Sequence, residues 1–106
     1  MEKNNFKVKM TAIAEEDLEH IYNYLTHELY NQSAAIKLMN KIEKNIIRLK
    51  HLPFSCPLPE DEFLRKKGYR KLIIDNYIAF YLIDDLEQEV IIMRVLYGKQ
   101  KFQRLL

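Results

Sequence analysis

Several residue types are scarce in this sequence, and each scarcity excludes a class of protein. A single cysteine, Cys56, excludes an internal disulfide framework and leaves no cysteine spacing typical of a metal site. Two glycines and three prolines are too few for a collagen-like or disordered chain. No apolar run approaches the roughly 18 residues that a membrane span needs, and the N-terminus has no apolar signal core. We therefore expect one compact cytoplasmic domain over residues 1–106, without a membrane partner.

The patterns of the common cofactor sites are also missing. There is no phosphate loop, no dinucleotide fingerprint and no EF-hand loop. The histidines fall on predicted helices, with no cysteine or acidic residue at metal-ligand spacing and no adjoining nucleophile; they are His20, His27 and His51. We expect no metal and no cofactor.

Residues 69–104 contain three apolar runs of strand length, rich in Ile, Val, Tyr and Phe. The breaks between them are Asp75-Asn76, which suits a tight turn, and the short acidic segment 84–88. This pattern predicts an antiparallel meander. Residues 6–10 alternate apolar and basic side chains, which predicts a further strand of the same sheet.

Two amphipathic segments precede the meander. Thr11 predicts the N-cap of a helix over about 12–30, and Asn31 or Ser33 begins a second over about 33–51. Their short connection predicts an antiparallel αα-hairpin. The expected core residues on these helices are Leu18, Ile21, Leu25, Leu38, Ile42 and Ile46.

The predicted fold class is therefore α+β, with the order β-α-α-β-β-β. The αα-hairpin packs on a mostly antiparallel sheet of about four strands, and residues 53–67 form a surface loop with room for a short helical turn. Both sheet faces carry mixed residues, which predicts a half-covered groove on the face away from the helices.

Charge is unevenly distributed, although the formal net charge is only +2. One basic group consists of Arg65, Lys66, Lys67, Arg70 and Lys71. If these cations converge, they can attract a phosphate backbone; the alternative is a solvated charge run. Arg70 is the stronger candidate because a strand directs its side chain.

A second basic group lies near the end of the chain: Arg94, Lys99, Lys101 and Arg104. Tyr97 and Phe102 lie among these cations, either as stacking surfaces for bases or as packing residues. Arg94 stands between Ile92 and Leu96 in its strand. As an arginine in a strand interior it is expected to pair with a carboxylate, and Asp75 or Glu89 can supply one.

An ordered set of segments carries a family resemblance. It comprises Tyr69-Arg70, then NYIAFY at 76–81 and IIMRVLYGK at 91–99, closing on Arg104-Leu105-Leu106, with AEEDL at 14–18 and Ile21-Tyr22 upstream. Together they resemble the RelE/ParE superfamily of toxins from bacterial type II toxin–antitoxin systems, which includes plasmid stabilisation proteins. The resemblance implies growth inhibition, a cognate antitoxin protein as partner and a toxin–antitoxin hetero-oligomer.

Within that superfamily, the branch that cleaves ribosome-bound messenger RNA uses several cations to stabilise the reacting phosphate. Its first strand cation matches Arg70, whereas the other matching positions hold Leu72, Ile78 and Gln100. The closing pattern RVLYGKQKFQRLL is more similar to ParE, whose members bind DNA gyrase.

The resemblance thus favours a gyrase-binding inhibitor. There are two alternatives. One is a ribosome-dependent mRNA endoribonuclease (mRNA interferase) with a rearranged cationic site, and the other is a decayed toxin that retains antitoxin binding. Candidate catalytic residues, if the protein cleaves RNA, are Arg70, Arg94, Tyr97 and Lys99. The candidate target-binding residues are Arg70, Lys71, Arg94, Tyr97, Lys99, Lys101 and Arg104.

Overall fold

The computed structural model describes residues 5–99 and 105–106. Along the chain it places β1 (Lys7–Met10), α1 (Ala12–Asn23), a π-helical turn (Tyr24–Glu28), α2 (Gln32–Ile47), a 3-10 turn (Arg48–Lys50), α3 (Glu62–Lys66), β2 (Arg70–Ile74), β3 (Tyr77–Asp84) and β4 (Glu89–Tyr97). The predicted α+β fold and its β-α-α-β-β-β order are confirmed. The short α3 lies within the segment predicted as a loop.

The four strands form one sheet in the order β1-β4-β3-β2. β2 pairs with β3, and β3 with β4, in antiparallel fashion, whereas β1 pairs with β4 in parallel. The meander is confirmed, and so is the N-terminal strand. Asp75 has a φ of 54° in the two-residue turn between β2 and β3, and Gln88 has a φ of 57° in the turn between β3 and β4.

Side-chain caps set the starts of α1 and α2. The Thr11 hydroxyl accepts the N–H of Ala14 at 3.0 Å, and the Asn31 side chain accepts the N–H of Ala34 at 3.0 Å. These bonds satisfy backbone donors that have no partner inside the helix. The predicted helix over 12–30 corresponds to α1 and its π-helical turn, and the helix over 33–51 to α2 and its 3-10 turn.

An apolar cluster lies on each face of the sheet. The helix-side cluster includes Ile42, Ile46, Leu72, Tyr81 and Ile92. The cluster on the other face comprises Leu64, Tyr69, Ile78, Phe80 and Leu96, with Leu106 packed against it. The far face, predicted to be a half-covered groove, is therefore covered in part by Leu64 of α3 and by Leu106.

The predicted core is correct for α2 and only partly correct for α1. Leu38, Ile42 and Ile46 are buried, but Leu18, Ile21 and Leu25 are half-buried. The buried residues of α1 are Ala14 and Asp17. Ile21 and Leu25 line an open groove between the helices and the sheet, which leaves their side chains partly exposed.

A β-bulge changes which face the residues of β4 occupy. Phe80 lies opposite Arg94, while the next residue, Tyr81, lies opposite Ile92, so Met93 is the extra residue. Ile92 packs in the helix-side cluster and Leu96 in the far cluster. Arg94 stands between these two residues in β4, as predicted, but the bulge interrupts the alternation, so Ile92 and Leu96 pack on opposite faces of the sheet.

Candidate functional site

The helical hairpin and the sheet diverge at one end and leave an open groove with a volume of about 890 Å³. Its helical wall comes from Asp17, His20, Ile21, Tyr24, Leu25, Leu29, Ala34 and Leu38. Its sheet wall comes from Asp75, Asn76, Tyr77, Arg94, Val95, Leu96 and Tyr97, with Leu105 at the margin. Most of these side chains are apolar or aromatic, so the groove suits a partner that buries apolar surface.

An ion pair between Asp17 and Arg94 lies in the wall of this groove. Arg94 donates from Nε to Oδ2 at 2.8 Å and from a terminal nitrogen to Oδ1 at 2.9 Å, in a two-pronged arrangement. Its other terminal nitrogen donates to the carbonyl of Leu105 at 3.1 Å. The side chains of Arg94 and Asp17 are only 15% and 10% exposed. The hydrogen bond to Asp17 raises the pKa of Arg94, so the guanidinium stays charged.

The predicted carboxylate partners of Arg94 were therefore wrong. Asp75 instead pairs with Lys41 at 2.6 Å, and Glu89 pairs with Lys9 at 3.2 Å. Asp75 sits in the turn between β2 and β3, and Glu89 lies five residues before Arg94 in the same strand. Long-range packing of α1 on β4 decides the pairing.

Asp17 also completes the edge of the sheet. β1 stops at Met10, opposite Ile92, and leaves the following backbone groups of β4 without a strand partner. The Thr11 hydroxyl donates to the carbonyl of Met93 at 2.9 Å, and the N–H of Val95 donates to Asp17 at 3.0 Å. Thr11 and Asp17 thus form hydrogen bonds with backbone groups of β4 that would pair with β1 if that strand continued beyond Met10.

Sequence reasoning missed the role of Asp17, which it placed within the AEEDL segment of the family resemblance. A signal was present, because Asp17 lies three residues after Ala14 and four before Ile21, on the apolar side of the helix. An acid in an apolar stripe indicates a buried cationic partner.

Three tyrosines line the groove: Tyr24, Tyr77 and Tyr97. The rings of Tyr77 and Tyr97 meet edge to face, with centroids 5.8 Å apart. Burial raises the pKa of Tyr77, and the nearby Tyr97 and Tyr24 raise it further. The phenol of Tyr77 therefore remains neutral at physiological pH. Tyr97, at 41% exposed, offers an aromatic surface to a partner.

Arg70 lies elsewhere and holds the loop after α2. It donates a hydrogen bond to the carbonyl of Cys56, and its guanidinium carbon lies 5.2 Å from the centre of the Phe54 ring. It is opposite Tyr81 on β3, whereas Tyr97 is opposite Tyr77. Four residues along β3 span about 13 Å, so Arg70 and Tyr97 do not share a site.

Most other side chains of the first basic group contact residues close to them in sequence. Arg65 donates to the carbonyls of Pro59 and Glu60 at 3.1 and 3.0 Å. Lys66 pairs with Glu62 at 3.4 Å, and the amine of Lys67 lies 4.6 Å from the centre of the Phe63 ring. Lys71 is half-buried opposite Phe80 and makes no ion pair with any residue the structure describes.

In the second basic group, Lys99 is exposed in the turn that follows β4. Lys101 and Arg104, like Phe102 and Gln100, lie outside the described residues. The structure therefore brings Arg94 and Tyr97 to one groove with Lys99 close by in sequence, and places Arg70 and Lys71 elsewhere.

Among residues 5–99 and 105–106, no three His, Cys, Asp or Glu side chains come together as a metal-ligand set. His20 lines the groove and His51 lies beside β1. No helix within these residues has the length and apolar character to cross a membrane.

A sequence model of the family described as "ParE toxin of type II toxin-antitoxin system, parDE" matches residues 8–102. No curated protein matches the sequence.

Among solved structures, a chain of the chromosomal ParDE toxin–antitoxin system from P. aeruginosa is similar, with a TM-score of 0.73 and 20% identity. The match covers 92% of this chain and all of that one. A chain of the RelBE2 toxin–antitoxin complex from Mycobacterium tuberculosis matches with a TM-score of 0.65 and 19% identity, covering 88% of this chain and 98% of that one. At these identities the two structures support the fold.

Proposed function

Since the chain belongs to the ParE toxin family of type II toxin–antitoxin systems, we propose that it inhibits growth by binding DNA gyrase and is neutralised by a cognate antitoxin. The proposed target is the one that the family resemblance implies. The proposed action is blockage by binding, without cleavage of a substrate.

The engagement of Arg94 carries the preference for binding over RNA cleavage. A cation that stabilises a reacting phosphate must be able to contact it. Two of the three hydrogen bonds described for Arg94 go to Asp17 in an almost fully buried pair, and the third goes to a backbone carbonyl. Breaking that pair would leave Asp17 buried without its cation, which is costly.

Other positions that an RNA-cleaving site would use support the same preference. Leu72 and Ile78, which stand where the cleaving branch has cations, are 5% and 7% exposed. Neither position can accept a charged side chain without disrupting an apolar cluster. Arg70 is held by the loop carbonyl of Cys56.

The surface proposed for the target is the rim of the groove around Tyr97 and Lys99. It combines an exposed tyrosine ring, a residue type enriched at binding hot spots, with an exposed lysine that can pair with an acidic group of the target. Lys101 and Arg104, which follow Lys99 in the sequence, are further candidates for target binding.

Two assays on the purified chain test the proposal. We expect loss of gyrase supercoiling activity, restored by a cognate antitoxin, and intact messenger RNA in a ribosome translation assay. A Tyr97→Ala variant should lose the inhibition, whereas the matched control Leu86→Ala, at an almost fully exposed leucine in the turn after β3, should keep it. Messenger RNA cut within codons by the wild type and left intact by a folded Arg70→Ala variant would make the endoribonuclease alternative correct. If neither target is affected but the antitoxin still co-purifies, the chain is a decayed toxin.

A further inference from the structure

The outer edge of β2 has unused backbone hydrogen-bonding groups. β2 is the last strand of the sheet, and its other edge pairs with β3. In a hairpin with a two-residue loop the residues that flank the loop, here Ile74 and Tyr77, form a hydrogen-bonded pair. Alternation then directs the N–H and C=O groups of Lys71 and Ile73 away from β3. Among the described residues, neither has a backbone bond outside the ladder.

The side chains on this edge are also available. Ile73 is 65% exposed although it lies inside a strand, and Lys71 beside it has no ion pair within the described part of the chain. An exposed apolar residue on an unpaired edge is what a further strand would cover.

A row of cations lies above the same edge. Lys37, Lys41, Lys44 and Arg48 of α2 and its 3-10 turn are all exposed. At about 100° per residue, their positions fall within roughly 60° of one another around the helix. Lys41 reaches Asp75 in the turn after β2, which locates this flank on the β2 side. Ile47, on the other flank, lines a cavity with residues of β1.

This combination identifies the chemistry of the occupant. A strand paired with β2 would direct alternate side chains toward the α2 cations and the others toward Ile73. A second copy of this chain would bring one cationic row against another, which is repulsive. A nucleic acid could satisfy the cations, but it has no peptide groups to pair with the edge and no apolar side chain to cover Ile73.

We propose that the outer edge of β2 takes an extended segment of the antitoxin as a fifth strand, with acidic residues alternating with apolar ones. This inference rests on the proposed antitoxin partner and is independent of the toxin's target. The β2–β3 hairpin would supply the main-chain pairing, and the α2 row would select acidic side chains over basic ones.

The probe for a test is a synthetic peptide of alternating Glu and Val, compared with one of alternating Lys and Val. Ile73→Pro removes one outward N–H, leaves charge unchanged and does not interrupt the ladder with β3. Ile73→Ala is its matched control, because it removes the side chain but keeps the N–H. We expect the chain to bind the Glu-Val peptide and not the Lys-Val peptide. The affinity of Ile73→Pro for the Glu-Val peptide should be about tenfold lower than that of Ile73→Ala.

Charge variants provide a second measurement. Lys44→Glu should lower the affinity for the Glu-Val peptide, while Lys7→Glu, at an exposed site on β1, should leave that affinity unchanged. Circular dichroism of each variant checks that the fold is retained. Equal peptide affinity of Ile73→Pro and Ile73→Ala would overturn the inference. A general anion-binding surface would also overturn it. That surface would be indicated if oligothymidylate displaced the peptide and still bound tightly to Ile73→Pro. If the chain inhibits gyrase but does not bind the peptide, only this inference is contradicted. If it binds the peptide but does not inhibit gyrase, only the proposed target is contradicted.

Discussion

The carboxylate of Asp17 binds both the guanidinium of Arg94 and the backbone N–H of Val95, and so joins α1 to the centre of β4. The pair spans 77 positions of sequence. It links the helical wall of the groove to the sheet wall and keeps the arginine from acting as a free cation.

The first prediction concerns this pair. Asp17→Asn leaves Arg94 largely buried without a counter-charge and should lower the free energy of unfolding by about 3 kcal/mol, as measured by urea denaturation. Glu62→Gln is the control, because its pair with Lys66 is largely exposed and should change stability by no more than about 0.5 kcal/mol. If Asp17→Asn lowers the free energy of unfolding no more than Glu62→Gln does, the buried pair does not stabilise the fold.

The second prediction concerns alkaline pH. Burial raises the pKa of Tyr81, Tyr69 and Tyr77 above the usual value of 10.0. A pKa raised in the folded state stabilises the fold fully below the unfolded value, and this contribution is lost as pH rises through the folded pKa. We expect stability to fall above about pH 10. The Tyr81 hydroxyl also donates to the carbonyl of Pro53 at 2.9 Å.

Tyr81→Phe separates these two effects. It should cost about 1 kcal/mol at neutral pH through the lost hydrogen bond. It should also flatten the alkaline slope of unfolding free energy against pH. An unchanged slope would mean that Tyr81 does not contribute to alkaline unfolding.

The third prediction concerns the core under α2. Ile42 is 1% exposed, and Ile42→Ala should lower the free energy of unfolding by about 2 to 5 kcal/mol. Ile36→Ala, on the same helix but 47% exposed, should change it by about 0.5 kcal/mol or less. Denaturant melts of the two variants give the comparison, and a loss below about 1 kcal/mol at Ile42 would contradict the packing of α2 on the sheet.

The fourth prediction separates binding from proton transfer at Tyr97. Tyr97→Phe keeps the ring that meets Tyr77 and should keep gyrase inhibition within a few-fold, because a binding surface uses the ring. An RNA-cleaving site that used the hydroxyl would instead lose a factor of about 10² or more in rate. Dose–response curves for the wild type and Tyr97→Phe in both assays decide between them.

Arg70→Lys tests the other candidate residue. Arg70 anchors the loop through the carbonyl of Cys56, so we expect reduced thermal stability with inhibition retained at full occupancy. Thermal melts and gyrase assays on the same preparation measure both. Lost inhibition with unchanged stability would place Arg70 in the target-binding surface.

Local sequence patterns determined most of the fold. The period of apolar residues marked the strands, Thr11 marked the start of α1, and Asp75 marked the tight turn. The start of α2 was narrowed to Asn31 or Ser33, and the structure selects Asn31. Each of these effects acts over a few neighbouring residues. The ordered segments also identified the family, which the match over residues 8–102 shows.

Tertiary structure alone decided how the charged residues are used. The bulge at Met93 and the end of β1 at Met10 place Asp17 beside Arg94, and no local pattern specifies the register between elements so far apart in sequence. The same register separates Arg70 from Tyr97, although both belong to basic groups that look alike in sequence. A charge's function depends on its nearest partners in space, and those partners are set by long-range packing.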